Sequence, residues 1–450
     1  MLTDQSRSLK KIVAALDSLT LFRSLSETPV LLALREFLIL FAVEDRNAHA
    51  AYSRLIGVLL EQQPVSGRHE LDLYKEHLLN LIAADENLFS LASEKYQFEE
   101  LDKLLLKDAA KDMELLKLVY ECNLVAIGQQ LAADREMGEF VPQIETLVRE
   151  ETVGEGYPAY YFTNRENLKK VFSERADWKS NLRELHMYYR QTGSGNFGRY
   201  WAFKWNALAD GRKGLVGVSN PDPIHLDDLV GCEDQKAEIV RNTKQFIHGY
   251  SANNMLLYGD RGTGKSSTIK GLVHLFGAEG LRIIEVSKHD LLAIHHIVEA
   301  VEGRAQKFII FIDDLSFEED ETEYKELKAL LEGSIARPPV NVLVYATSNR
   351  RNLVREYFSD READEVGRQD TYQEKLSLAD RFGIKLVYAA PDKQDYLKTV
   401  EAIAAKEGIK IERSELHELA LRWALWHNAP SGRTARQFIN DLKGKLDLNG

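Results

Sequence analysis

The stretch that most constrains this chain is Gly259-Asp260-Arg261-Gly262-Thr263-Gly264-Lys265-Ser266, followed by Ser267. The apolar run Met255-Leu256-Leu257-Tyr258 leads into it and reads as a short buried strand. Ser267 to Phe276 leads out of it as a helix, with Ile269, Leu272, Val273 and Phe276 on one face. Strand, glycine-rich loop and helix, in that order, is the frame a phosphate-binding loop requires. The glycines let successive backbone N–H groups turn inward, and the helix N-terminus adds its partial positive charge. Lys265 is placed to set its ammonium against terminal phosphates, and the Ser266 hydroxyl to complete a Mg²⁺ shell. The competing reading, a glycine turn with a surface lysine, does not account for the correct flanks on both sides.

The rest of the chain arranges itself around this loop. From Leu2 to about Arg149 there is almost no proline or glycine, and apolar residues recur at helical spacing, as in Leu31, Leu34, Phe37, Leu38 and Phe41. Residues 1–152 are therefore expected as a helical N-terminal domain. Residues 153–220 form a connector dense in aromatic rings, with more Lys and Arg than Asp and Glu. Rings interleaved with basic residues can stack bases and hold phosphates, but a short segment with so many rings is expected to bury most of them. Pro221 and Pro223 mark the next boundary. From 221 to 390, short apolar runs alternate with helical patterns, which means a parallel sheet covered on both faces. Strands are expected at Leu281 to Val286, Phe308 to Ile312, Val340 to Ala346 and Ile384 to Tyr388. Helices are expected at Asp234 to Ile247, near Asp290 to Val301, and at Thr322 to Leu331. Residues 391–450 return to a helical pattern, a small C-terminal lid. The fold class is thus multidomain, α/β with all-α parts.

A phosphate loop does not by itself name a reaction, so a metal carboxylate is expected at the end of another strand. Phe308 to Ile312 ends in Asp313-Asp314, and a carboxylate delivered at the carboxyl edge of an open sheet stands where such sheets bind ligands. Asp313 is the candidate Mg²⁺ ligand with Ser266, and Asp314 the candidate for orienting an attacking water. Three more polar clusters follow: Thr347-Ser348-Asn349 at the end of a strand, Asp380-Arg381-Phe382-Gly383 before the next, and Ser431 to Arg436 at the start of a helix.

In that order these motifs resemble the AAA+ ATPases, over about Leu226 to Leu446. Leu229-Val230-Gly231 resembles the segment that family places near adenine, Gly259 to Ser266 its Walker A, and Phe308 to Asp314 its Walker B. Asn349 falls at the sensor 1 position. Arg381 resembles the arginine finger that reaches a neighbouring subunit's γ-phosphate, and Arg436 the sensor 2 arginine, with Arg433 as a fallback. Over its whole length the chain is similar to a bacterial family of AAA+ ATP-binding proteins catalogued as a domain of unknown function. The resemblance implies ATP and Mg²⁺ as cofactors, with a site built from Val230, Gly231, the loop Gly259 to Ser267, Asp313, Asp314, Asn349, Arg381 and Arg436. Walker B strands in that family mostly end in Asp-Glu. Asp314 is one methylene shorter, which implies slow turnover, with Glu318 and Glu319 as less well placed substitutes.

Three functions are expected from this reading. The first is an ATPase that assembles as a homo-oligomeric ring or filament and remodels or loads a protein partner. The second is a weakly hydrolysing ATP-dependent binding switch, and the third a DNA-associated AAA+ protein, which the net charge of -12 disfavours. Cys122 in an apolar pattern and Cys232 in a polar turn suggest neither a disulfide framework nor a zinc cluster. His295 and His296 are adjacent on a helix and lack the spacing of a helical metal pair. No run approaches the roughly 20 apolar residues of a membrane span, so a cytoplasmic location without membrane partners is expected.

Overall fold

The computed structural model describes residues 2–61, 72–134, 138, 141–142, 159–208, 211–317, 324–332, 339–349, 378–427 and 430–449. Its contacts divide the chain into two compact units, Met1–Tyr200 and Trp201–Gly450.

The first unit is helical: α1 (Leu2–Asp17), α2 (Arg23–Ser26), α3 (Pro29–Ala42), α4 (Ala48–Glu61), α5 (Leu73–Ala84), α6 (Leu88–Lys95), α7 (Lys103–Tyr120), α8 (Leu124–Ala132), α9 (Ala159–Glu174), α10 (Leu182–Thr192) and α11 (Gly195–Arg199). Polar residues start several of them. Asp72, Asn87 and Asp102 accept backbone N–H groups at the first turns of α5, α6 and α7, and Pro29 occupies the first turn of α3, where its missing donor costs nothing. The inner faces converge on one core that includes Phe22, Phe37, Tyr52, Tyr74 and Phe89. Each such side chain, fully buried, contributes about 1.5–3 kcal/mol. Buried Asp112 accepts the N–H groups of Thr20, Leu21 and Phe22, which fixes the turn after α1 onto α7.

The aromatic stretch does not stand as a body between two domains; it is shared. Phe172, Trp178, Tyr188 and Tyr189 are core residues of the helical unit, and Trp178 Nε1 donates to Phe172 O at 2.8 Å. Its basic side chains are engaged as well: Lys169 with Glu76 and Glu166, Lys179 with Glu114, Arg183 with Glu99. Its last part instead forms β1 (Ala202–Ala207) and β2 (Lys213–Gly217), which belong to the second unit.

The second unit continues with α12 (Glu233–Ile247), β3 (Met255–Gly259), α13 (Lys265–Phe276), β4 (Leu281–Val286), α14 (Ile294–Val301), β5 (Lys307–Ile312), α15 (Tyr324–Glu332), β6 (Val342–Ser348) and β7 (Ile384–Tyr388), then α16 (Lys393–Lys406), α17 (Arg413–Trp426) and α18 (Gly432–Asn449). The seven strands order as β2-β1-β4-β5-β6-β3-β7. All neighbours are parallel except β1 and β2, an antiparallel hairpin at one edge. The parallel sheet expected from residue 221 onward is extended at one edge by this earlier hairpin, whose alternation of Phe203 and Trp205 with Lys204 and Asn206 is that of a strand with one face covered. The first half of the helix expected near Asp290 is a 3-10 turn, Lys288–Ala293. Successive side chains of a strand point to opposite faces. Met255, Leu257, Ile283, Ile309, Phe311, Leu343 and Tyr345 share a core with Ile239 and Phe246 of α12 and Ile269 to Phe276 of α13. Leu256, Ile284, Ile310 and Val344, on the other face, are buried too. That double burial explains the unbroken apolar runs. Helices α16 to α18 close on their own small core around Tyr396, Val400, Phe438 and Ile439.

Candidate functional site

The parallel sheet delivers β3, β5 and β6 side by side, so their carboxyl ends open on one cavity of about 1020 Å³. Its walls include Leu229, Val230 and Gly231, the loop from Arg261 to Thr268, Asp313, Asp314, Thr347 and Asn349, and, from the C-terminal helices, Gly432, Arg433 and Arg436. The residues expected for Walker A, Walker B, sensor 1 and sensor 2 are thus brought together from positions far apart in the chain.

The loop owes its shape to glycine. Gly259, Gly262 and Gly264 have φ of 135°, 75° and 93°, where a side chain is strained. A Cβ on Gly262 would stand 2.9 Å from Ser431 Oγ, so the loop and the start of α18 are in close approach. Lys265, at the start of α13, is 6% exposed, and its Nζ donates to Gly259 O at 2.9 Å, Asp260 O at 2.6 Å and Asn349 Oδ1 at 3.2 Å. Burial lowers the pKa of its ammonium, while the neighbouring Asp260, Asp314 and Asp313 carboxylates oppose that shift.

One hydroxyl holds the carboxylate of Asp313 and the backbone of Asp314. Thr347, 1% exposed, donates from Oγ1 to Asp313 Oδ1 at 2.6 Å and accepts the N–H of Asp314 at 2.9 Å. Ser266 Oγ also donates to Asp313 Oδ1, at 2.6 Å. Asp314 has φ of 51°, an uncommon left-handed conformation for a residue with a side chain. Asn349 Nδ2 donates to its Oδ1 at 2.5 Å, so the amide bridges Lys265 and Asp314. Ser266 and Asp313 supply two adjacent oxygens. That set suits Mg²⁺, which takes oxygen ligands and keeps several of its positions for water and phosphate. Glycine-shaped backbone, a buried ammonium and this oxygen pair fit Mg²⁺ with a nucleoside triphosphate.

Arg381 falls elsewhere. It is exposed and precedes β7, hence at the amino edge of a sheet whose carboxyl edge carries the cavity. A strand the length of β7 separates those edges by about 17 Å at the usual rise. Arg436 lines the cavity, and its Nη1 lies 3.9 Å from Glu407 Oε1. Glu318, Glu319 and positions 350–374 lie outside the described residues.

Sequence reasoning missed the residues that tie the site to its frame. Gln235 Nε2 donates to Val387 O at 2.9 Å, Lys236 Nζ to Leu229 O at 2.6 Å, and Lys406 on α16 pairs with Asp228 at 2.6 Å. The sequence signal for these is slight, since the partners of Gln235 and Lys236 are backbone carbonyls and the pairs Gln235–Val387 and Lys406–Asp228 span 152 and 178 residues. Among the described residues, no helix is long and apolar enough to cross a membrane.

A family model described as "Protein of unknown function (DUF815)" matches residues 198–446. The chain is 25% identical over 228 residues to the replication factor C large subunit of Nanoarchaeum equitans, covering 49% of this chain and 45% of that one. Among solved structures it is similar to the Thermotoga maritima RuvB Holliday junction branch migration motor, at 17% identity and a TM-score of 0.36, covering 50% of this chain and 66% of that one. A mutant of that motor gives 16% identity, a TM-score of 0.37 and the same coverage. The chain thus spans less than half the length of the curated relative it matches.

Proposed function

We propose that this chain, which belongs to the family described as "Protein of unknown function (DUF815)" and has an AAA+-like fold, binds Mg-ATP in the cavity and hydrolyses it to drive work on a macromolecular partner. The observation that carries this reading is the convergence of Lys265, Ser266, Asp313, Asp314, Asn349 and Arg436 on one cavity. The loop N–H groups and Lys265 hold the phosphates, and Ser266 with Asp313 hold the metal. Bound Mg²⁺ neutralises charge on the phosphate oxygens. Asp314 orients the attacking water and accepts its proton, with Asn349 fixing the carboxylate. Val230 and Gly231 flank the base. Arg433 and Arg436 bring positive charge from the C-terminal helices. Because Arg381 stands at the far edge of the sheet, it serves the cavity of a neighbouring copy rather than its own, which makes the working form a homo-oligomer.

DNA is the partner class that a relative supports, since the matched curated protein is by name a replication factor. Remodelling of a protein partner is the second reading. The aromatic connector does not favour DNA, because many of its rings are buried and its cations paired. A DNA contact on a chain of net charge -12 has to be local.

The test is phosphate release with Mg-ATP for the wild type, Lys265→Ala and Asp314→Asn, with and without duplex or single-stranded DNA at low and moderate salt. Lys265→Ala is expected to lose ATP binding. Asp314→Asn is expected to retain binding and lose about 100-fold in turnover. Stimulation by DNA that fades with salt supports the DNA reading, and its absence at low salt moves the proposal to a protein partner. Intact ATP binding with negligible release in the wild type would convert the enzyme into a binding switch.

A further inference from the structure

The phosphate loop touches the strand before the C-terminal helices as well as the cavity. Asp260, the second residue of the loop, donates its N–H to Tyr388 O at 3.0 Å, and its Oδ2 accepts the N–H of Ala390 at 3.0 Å. A Cβ on Gly259 would stand 2.0 Å from the same Tyr388 O, so the two backbones are in direct contact. Beyond Tyr388 only Ala389, Ala390 and Pro391 intervene before Asp392, which caps α16 by accepting the N–H of Asp395 at 2.8 Å. Pro391 has no N–H and confines Ala390 to extended backbone. A link this short and stiff cannot absorb a displacement at its start, so it passes it to α16.

Ligand contact does not explain a carboxylate here, because a negative charge beside a phosphate site opposes anion binding. The Asp260 carbonyl meanwhile accepts from Lys265 Nζ at 2.6 Å, and any phosphate in the loop competes for that ammonium. One residue therefore holds Lys265 through its carbonyl and the link to α16 through its side chain.

We propose that Asp260 is a positioning residue that couples what is bound in the phosphate loop to the setting of α16 to α18, through its side-chain hydrogen bond to Ala390. This rests on the reading of the cavity as a nucleoside triphosphate site and deepens it. Since α18 carries Arg433 and Arg436, the setting decides where those two cations stand over the cavity.

The test uses the full chain as wild type, Asp260→Ala and Asp260→Asn. Hydrogen exchange at Ala389 and Ala390 is followed without nucleotide and at saturating Mg-ATP, with saturation established for each variant by equilibrium dialysis. In the wild type, exchange at Ala390 changes when ATP binds. Asp260→Ala is expected to exchange about fivefold faster without nucleotide, the equivalent of one lost hydrogen bond, and to lose the response to ATP. Asp260→Asn, whose amide oxygen still accepts, is expected to keep it. An ATP response in Asp260→Ala equal to that of the wild type overturns the proposal, as does Asp260→Asn behaving like Asp260→Ala. An Asp260→Ala protein that cannot be saturated assigns the residue to binding instead and also overturns it. Wild type that binds ATP with an unresponsive Ala390 overturns the coupling alone; wild type that binds no ATP overturns the nucleotide reading with it.

Discussion

Asp314 combines two demands that a single residue seldom meets: its backbone is left-handed and its carboxylate faces the cavity. Such a conformation costs on the order of 1–3 kcal/mol unless the surroundings hold it. Here the holder is Thr347, through the Asp314 N–H, and the same hydroxyl orients Asp313. Thr347→Val keeps the shape and removes both hydrogen bonds. It is expected to lower stability by about 1–2 kcal/mol, and turnover by about tenfold or more through misplacement of both carboxylates; denaturant titration and phosphate release read the two effects. In the helical unit, His77 makes a pH prediction. It is 8% exposed, and burial pulls its pKa from 6.5 down to about 4, against a smaller opposing effect of Glu76. The unfolded chain therefore binds a proton between those values that the folded chain does not. Stability should fall as pH drops from 6.5 towards 4 and level off below, by about 3 kcal/mol from this group. Unfolding followed by helical signal across that range should show a shallower acid slope in His77→Gln.

Among the elements, the close approach of β3 to β7 sets the tightest condition. Gly259 combines a φ of 135° with the contact of its missing Cβ to Tyr388 O, whereas Gly231 has a φ of 81° and open space around it. Gly259→Ala is expected to cost about 2–4 kcal/mol and Gly231→Ala about 1 kcal/mol, the difference being the clash; thermal unfolding of the two variants measures it. Elements with a strong local signal were legible in the sequence. β7 begins and ends where its apolar run predicts, and the glycine-rich turn from β3 into α13 declares itself because its residues are consecutive. The hairpin β1–β2 was not legible. Its alternating Phe203 and Trp205 merge into an aromatic segment whose other rings fold elsewhere, and only pairing with β4 decides the matter. The bond from Gln235 to Val387 O spans 152 residues, a separation at which local pattern carries no information.

For the whole molecule, the position of Arg381 turns a question of assembly into one of kinetics. If its guanidinium completes a neighbour's site, specific ATPase activity rises with protein concentration, and Arg381→Ala removes that rise while leaving ATP affinity in place; a concentration series of both proteins decides it. The order of the sheet has a second consequence at this scale. Among the described residues β2 and β7 are its two ends, and β7 is a short strand with Lys385 near its middle, paired with Asp380. An open sheet end is a template on which other copies of a nascent chain can dock and fail to fold. The Val387 carbonyl is occupied by the Gln235 amide, and Lys385 is ion-paired with Asp380. The Gln235 side chain that steadies the mouth of the cavity thereby also takes up one acceptor that a foreign strand would otherwise use.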